Sequence, residues 1–239
     1  MTIKISILIP VYNESDVLST ELPEFLNWMD IEFKKAYEVV LVENGSTDDT
    51  YFKALNLAKK YNGLKVSHQA VASFGASVLE SISLAKGEVS ILLNADWLDR
   101  EFVVQAYKSI VNKDIVIGSK VLNPKTDHRP PVRRAASHLL TFVLKIFFGF
   151  SFSDSHGLKA FRTSKIKPLA KLCKMNEIVE SELLLLAQMH KLRIIEIPVT
   201  ITEQRSPRTS FVKRIFSMAG ELVKLYIRQK EHKSAFTRR

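Results

Sequence analysis

Residues 3–14 read IKISILIPVYNE. A run of aliphatic and β-branched residues ends at Pro10, and Tyr12, Asn13 and Glu14 follow at once. Two later stretches repeat the design. Residues 37–42 (YEVVLV) run into Glu43-Asn44-Gly45-Ser46-Thr47-Asp48-Asp49, and residues 88–93 (EVSILL) run into Asn94-Ala95-Asp96. Near-continuous apolar runs of this length fit strands covered on both faces, as in a parallel sheet. Ligands of such sheets bind in the crevice beyond the carboxyl ends of the strands. The spacing therefore predicts that Glu14, Glu43, Asn44, Asp48 and Asp96 line one crevice. Oxygen-rich side chains there suit a hard cation and the hydroxyls of a nucleotide or sugar.

Working outward, strand and helix patterns alternate through the first half. A helical segment is expected at 16–29, and another opens near Asp48-Asp49, where acids suit a helix N-terminus. A short strand at 64–67, helices at 75–85 and 99–110, and a strand at 115–117 follow. The alternation predicts an α/β domain with helices flanking a mostly parallel central sheet. The second half changes character. Residues 123–131 (NPKTDHRPP) form a loop, and 132–150 a very apolar helix. A strand is expected at 157–161, helices at 166–172 and 179–190, and strands at 192–197 and 199–201 broken by Pro198. Residues 211–228 form a basic amphipathic helix, and the tail from Gln229 is expected to fray. The expected division is a main domain over residues 1–210, with the C-terminal helix and basic tail over 211–239.

Composition narrows the function. The chain has 239 residues, 46% of them hydrophobic, enough for one large domain with a packed core. Its net charge of +10 fits nucleic acid, anionic lipid or phosphorylated ligands. No stacking aromatics interleave with the basic runs, so a nucleic-acid partner is not expected. The single cysteine, Cys173, excludes an internal disulfide and favours a reducing compartment; it reads as a small core residue. No signal peptide is recognisable, and no run reaches the ~20 apolar residues of a spanning helix. The longest, Leu139 to Phe152, carries Lys145. Its expected role is burial or a place in a membrane interface. His156 and Trp97 read as packing residues.

The motifs taken together resemble the GT-A fold glycosyltransferases of family two, and within them the dolichyl-phosphate mannose and glucose synthases and their polyprenyl-phosphate relatives. The matching stretches are IPVYNE (9–14), VENGSTDDT (42–50), FGAS (74–77), LLNAD (92–96), SDSHGLKAFR (153–162), ESELLLLAQ (180–188), RIIEIPVTI (193–201) and RSPRTS (205–210). Each is weak alone; their order and spacing carry the resemblance.

The resemblance implies an inverting enzyme that moves a hexose from a nucleotide-diphospho-sugar donor to a polyprenyl-phosphate acceptor. It implies that Pro10, Tyr12 and Glu14 lie under the base and ribose, and that Glu43 or Asn44 bonds the base. Asp96 would hold Mg²⁺ or Mn²⁺ on the diphosphate. The family's usual Asp-Ala-Asp is here Asn94-Ala95-Asp96; an amide bonds a ribose hydroxyl but brings no anionic charge to a metal, so tight metal binding is not expected. Phe74 is a second departure, where many members carry a polar residue.

Asp154 matches an acid that can serve as general base toward a hydroxyl acceptor. A phosphate monoester, with a second pKa near ~6, needs no such base. Arg133 and Ser137 match a phosphate-gripping pair, Lys120 stands where an arginine is common, and Arg205 or Arg208 would close over the diphosphates. The implied location is peripheral, at the cytoplasmic face of a membrane. Two alternatives stay open: transfer to a sugar hydroxyl of a glycan, and a degenerate member that binds nucleotide sugar without catalysis.

Overall fold

The structure is a computed structural model that describes residues 2–123, 125, 127–201 and 211–237, with side chains left undescribed at 211–215 and 230–237. The strands are β1 (Ile5–Val11), β2 (Tyr37–Asn44), β3 (Leu64–Gln69), β4 (Val89–Leu92), β5 (Ile115–Ser119), β6 (Lys159–Arg162) and β7 (Ile194–Pro198). They form one sheet in the order β3-β2-β1-β4-β6-β5-β7. Only β6 runs against its neighbours β4 and β5; the remaining pairs are parallel. The expected mostly parallel α/β sheet is what forms.

Helices cover both faces: α1 (Ser15–Ser19), α2 (Glu21–Phe33), α3 (Thr50–Lys60), α4 (Phe74–Leu84), α5 (Arg100–Ser109), α6 (Pro131–Phe148), α7 (Thr163–Ala170), α8 (Val179–Met189) and α9 (Phe211–Thr237). Strand pleating sends alternate residues to opposite faces, and β1 shows this directly. Ile5, Ile7 and Ile9 join Leu22, Phe25 and Met29 of α2 and Phe102 of α5 in one core cluster. Leu8 joins Val78 and Ile82 of α4 and Leu183 and Leu184 of α8 in the other. Each fully buried aliphatic side chain contributes about 1.5–3 kcal/mol.

Four elements differ from expectation. No strand forms at 199–201, where Ile201 makes only an isolated bridge to Asp127. The segment 16–29 is two helices, not one. Pro23 lies in the first turn of α2, where its missing N–H costs nothing, but its ring would collide with the Ser19 carbonyl in a continuous helix. The strand near 157–161 starts at Lys159 and is antiparallel. Helix α9 continues to Thr237, beyond the expected fraying point at Gln229. Pro198 closes β7, which among the described residues pairs with β5 alone and so lies at the sheet edge, where proline is tolerated. Cys173 is buried, and burial pushes its thiol well above the usual range, as befits a core residue.

Candidate active site

The parallel register brings the ends of β1, β2 and β4 to one rim. Val11 lies opposite Glu43, and Leu8 opposite Leu92, so the 12–14, 43–49 and 94–96 segments leave the sheet side by side. The first two are laced together. Asn13 sits in the left-handed region (φ 54°), and its Oδ1 accepts from Thr47 N–H at 2.8 Å. The Asn13 N–H donates to Ser46 Oγ at 2.9 Å, and the Glu14 N–H to Thr50 Oγ1 at 2.8 Å. Gly45 (φ +66°) is required here: a Cβ would stand 2.9 Å from the Ala72 nitrogen.

Glu43 is fully buried, accepting from Ser46 N–H and pairing with His68 Nδ1, whose ring stacks on Tyr51 at 4.5 Å. Asn44 is also buried, and its Oδ1 accepts from Ser73 N–H at 2.6 Å. Its Nδ2 hydrogens remain for a ligand. Asp48 accepts from Thr50 N–H at 3.0 Å and from Ser15 N–H at 3.4 Å. Burial pushes its carboxyl up, but these hydrogen bonds outweigh it and leave the group below the usual range. Asp48 is thus occupied in organising the loop beside Pro10, Tyr12 and Glu14, which are half-buried.

Beyond β4 the chain turns tightly, with Trp97 N–H donating to Asn94 O at 3.0 Å. Asp96 stands on that turn, exposed. It caps no helix; Asp99 does, accepting from Phe102 N–H at 2.8 Å. Trp97 packs against the core as expected. Among the described residues no cluster of three or more acid, histidine or cysteine side chains could enclose a cation. One exposed carboxylate beside an amide instead fits a divalent ion that arrives on a diphosphate and keeps its own waters, as Mg²⁺ commonly does.

The other side of the rim comes from β5 and β6. Ile117 lies opposite Lys159, so the segment before β6 meets the end of β5. There Lys120 and Asp154, 5% and 3% exposed, pair at 3.0 Å. Burial pushes Asp154 up, but the charge and hydrogen bond of Lys120 outweigh it and hold the carboxyl below its usual range. The His156 and Lys120 N–H groups also donate to Asp154, at 3.0 and 3.2 Å. One layer deeper, Lys159 pairs with Glu180. Glu180 would rise on burial, yet the Lys159 charge keeps it low. Burial lowers His156, whose Nε2 bonds Glu177 O at 3.1 Å, so it packs as a neutral ring.

The loop from β5 to α6 stays at this rim, since Asp127 bridges to Ile201 just past β7. Arg129 forks onto Asp127 with two contacts of 2.8 Å and reaches Ser137 Oγ at 3.1 Å. Ser137 also donates to the Arg133 carbonyl at 3.0 Å. Ser137 and Arg133 therefore share the first turns of α6, both half-buried. Arg205 and Arg208 lie outside the described residues. Arg129 escaped the sequence reading, and the only trace of it was an arginine ahead of Pro130-Pro131. Glu196, which holds the Ser153 N–H at 2.9 Å, left no trace at all.

The pattern of glycosyl transferase family 2 matches residues 6–166. A dolichyl-phosphate beta-glucosyltransferase of Trichomonas vaginalis is 28% identical over 244 residues, covering 95% of this chain and 74% of that protein. A UDP-N-acetylglucosamine–dolichyl-phosphate N-acetylglucosaminyltransferase of Methanococcus voltae is 25% identical over 217 residues, covering 82% of this chain and 84% of its own. Among solved structures, a mannosyltransferase from Pyrobaculum calidifontis in complex with GDP-Man and Mn²⁺ superposes with a TM-score of 0.65 at 18% identity, over 95% of this chain and 64% of that one. That likeness establishes the GT-A fold. With the family pattern covering most of the chain, the chain belongs to glycosyl transferase family 2.

Proposed function

We propose that the protein transfers a hexose from a nucleotide-diphospho-sugar to a polyprenyl phosphate, with inversion at the anomeric carbon. The observation that carries this reading is the asymmetry of the rim. Amide and carboxylate groups stand on the β1–β2–β4 side, whereas on the β5–β6–α6 side each buried carboxylate is matched by a cation, Asp154 by Lys120 and Asp127 by Arg129. Asn44 would donate Nδ2 to the base, with Pro10, Tyr12 and Glu14 under base and ribose. Glu43 would act through the loop it holds, and Asn94 would bond a ribose hydroxyl. Asp96 would hold Mg²⁺ or Mn²⁺ weakly, through the diphosphate. Such an ion supplies charge neutralisation for the departing nucleoside diphosphate.

The acceptor phosphate, largely ionised at neutral pH, attacks the anomeric carbon as its bond to the diphosphate oxygen breaks. No proton need be removed. Arg133 and Ser137 would hold the incoming phosphate, with Arg129 fixing Ser137 and Lys120 behind them in its pair with Asp154; Arg205 or Arg208 would cover the diphosphate. The buried ion pair of Asp154 supports this over a hydroxyl acceptor. A general base must come within reach of substrate, and Asp154 is 3% exposed and committed to Lys120 and His156.

A lipid acceptor also suits the outer face of α6. Val132, Leu139, Phe142, Ile146 and Phe147 are 56–66% exposed there, with Phe216, Val223 and Ile227 of α9 exposed as well. No helix among the described residues is long and apolar enough to cross a membrane. Apolar faces flanked by lysine and arginine lie in the bilayer interface, so we assign a peripheral attachment, at the cytoplasmic leaflet. The test is a transfer assay with a panel of nucleotide sugars and Mg²⁺ or Mn²⁺, with and without polyprenyl phosphate. Product confined to the lipid-containing arms supports the reading. Product on glycan acceptors alone would overturn it.

A further inference from the structure

Helix α9 is remote in sequence from the donor loops, yet hydrogen bonds join them in three steps. Both carboxylate oxygens of Glu221 on α9 accept from the Asn176 N–H, at 3.1 Å each, and one also accepts from Ile178 N–H at 3.1 Å. Asn176 Oδ1 in turn accepts from the Ser73 hydroxyl at 2.9 Å and from the Gly75 N–H at 2.7 Å. The Ser73 N–H then donates to Asn44 Oδ1. Contact along this path is tight: a Cβ on Gly75 would stand 2.6 Å from Met175 O and 2.7 Å from Asn176 Cα. A second clamp seats the same helix. Arg228 donates to Glu182 Oε1 and to Leu172 O, both at 2.7 Å, while Glu182 Oε2 accepts from the Lys174 and Met175 N–H groups at 2.8 Å.

We propose that Asn176 is a positioning residue for the donor pocket and that, through Glu221, it makes nucleotide-sugar affinity depend on the seating of α9. The inference rests on Asn44 as the base contact. An amide whose oxygen is pinned can present its Nδ2 in one orientation only. When the Ser73 N–H moves away, Asn44 is free to turn and the ligand must meet the cost of ordering it. Coupling of this kind is reciprocal, so bound nucleotide sugar should in turn hold α9 more firmly. Phe216, Val223 and Ile227 are exposed on α9. A bilayer that takes up those side chains would hold the helix in its seat and favour donor binding.

The test uses the full chain with Glu221→Ala, Asn176→Ala and the conservative Asn176→Asp, which keeps an accepting oxygen at the same place. Calorimetry with UDP-glucose, GDP-mannose and UDP-N-acetylglucosamine gives Kd, steady-state assays give KM and kcat, and amide exchange reads Ser73 and Gly75. Loss of one such hydrogen bond corresponds to about 3- to 10-fold. Both alanine variants should raise donor Kd and KM by that factor, leave kcat within about twofold and speed exchange at Ser73 and Gly75, with Asn176→Asp near wild type. Unchanged exchange in Glu221→Ala would refute the relay. Faster exchange with unchanged Kd would refute its link to the pocket. A wild-type protein that binds none of the three nucleotide sugars would overturn the donor reading itself, and the positioning role with it.

Discussion

On the β1–β2 side of the crevice, hydrogen bonds hold the loops: neutral ones from the Thr47, Asn13 and Glu14 N–H groups to Asn13, Ser46 and Thr50, and others to the carboxylates of Glu43 and Asp48. On the β5–β6 side, buried charges do: Lys120 with Asp154 and Lys159 with Glu180. The two designs fail differently. A typical neutral hydrogen bond contributes about 0.5–1.5 kcal/mol, so the donor loops can lose one contact and persist. Removing one member of a buried ion pair leaves an uncompensated charge and costs about 3–5 kcal/mol. The first design suits loops that adjust around a nucleotide. The second suits a rigid wall.

That contrast breaks most readily at Lys159, which is fully buried. Lys159→Ala should lower unfolding free energy by about 3–5 kcal/mol in urea titrations. A loss below about 1 kcal/mol would mean that both sides are held alike. Asp96 is the converse case, being exposed and outside any cap. Asp96→Ala should leave the thermal midpoint within a few degrees while kcat/KM falls by about 10²–10³-fold, the usual scale for losing transition-state charge stabilisation. Intact activity in that variant would remove the proposed metal anchor. Thr50→Val on the donor side should cost about 1 kcal/mol and act mainly on donor KM.

Acidification should weaken the buried ion pairs. Asp154 and Glu180 are held below their ordinary values of 3.8 and 4.5 in the folded state. Groups depressed by folding contribute stability that is complete above the unfolded pKa and is lost as pH falls through the folded one. Wild-type stability should therefore drop below about pH 4.5, and Asp154→Asn should show a shallower drop than wild type in unfolding measured from pH 7 to 3. Equal slopes would place the acid-sensitive groups elsewhere. The smallest effect on the fold is expected at Phe142, 60% exposed on α6. Phe142→Ser should change stability by no more than about 0.5 kcal/mol. Its binding to anionic lipid vesicles should weaken several-fold, and unchanged sedimentation with vesicles would argue against α6 as the membrane face.

Legibility in the sequence followed the same divide. The donor side could be read because each strand ends within two residues of its own apolar run, so Glu43, Asn44 and Asp96 announce their places locally. The other side could be read only in part. Arg133, Ser137 and Asp154 came from motif resemblance, and the buried pairings of this wall join distant positions. Lys120 and Asp154 are 34 positions apart, Lys159 and Glu180 21, and Asn176 and Glu221 45. No periodicity links residues at such separations. The split between α1 and α2 was legible in principle, because Pro23 forbids a continuous helix.

Taken alone, the chain determined the alternation of strands and helices, the parallel character of the sheet and the polar ends that share one rim. Those follow from short-range patterns: buried runs, turn residues and the two-residue pleat. Tertiary structure decided which carboxylates are free and which are committed. Asp96 is open, whereas Asp48, Asp154 and Glu43 are bound to partners. That choice depends on where distant segments come to rest, because a charge carried out of water is stable only beside the partner the fold brings to it.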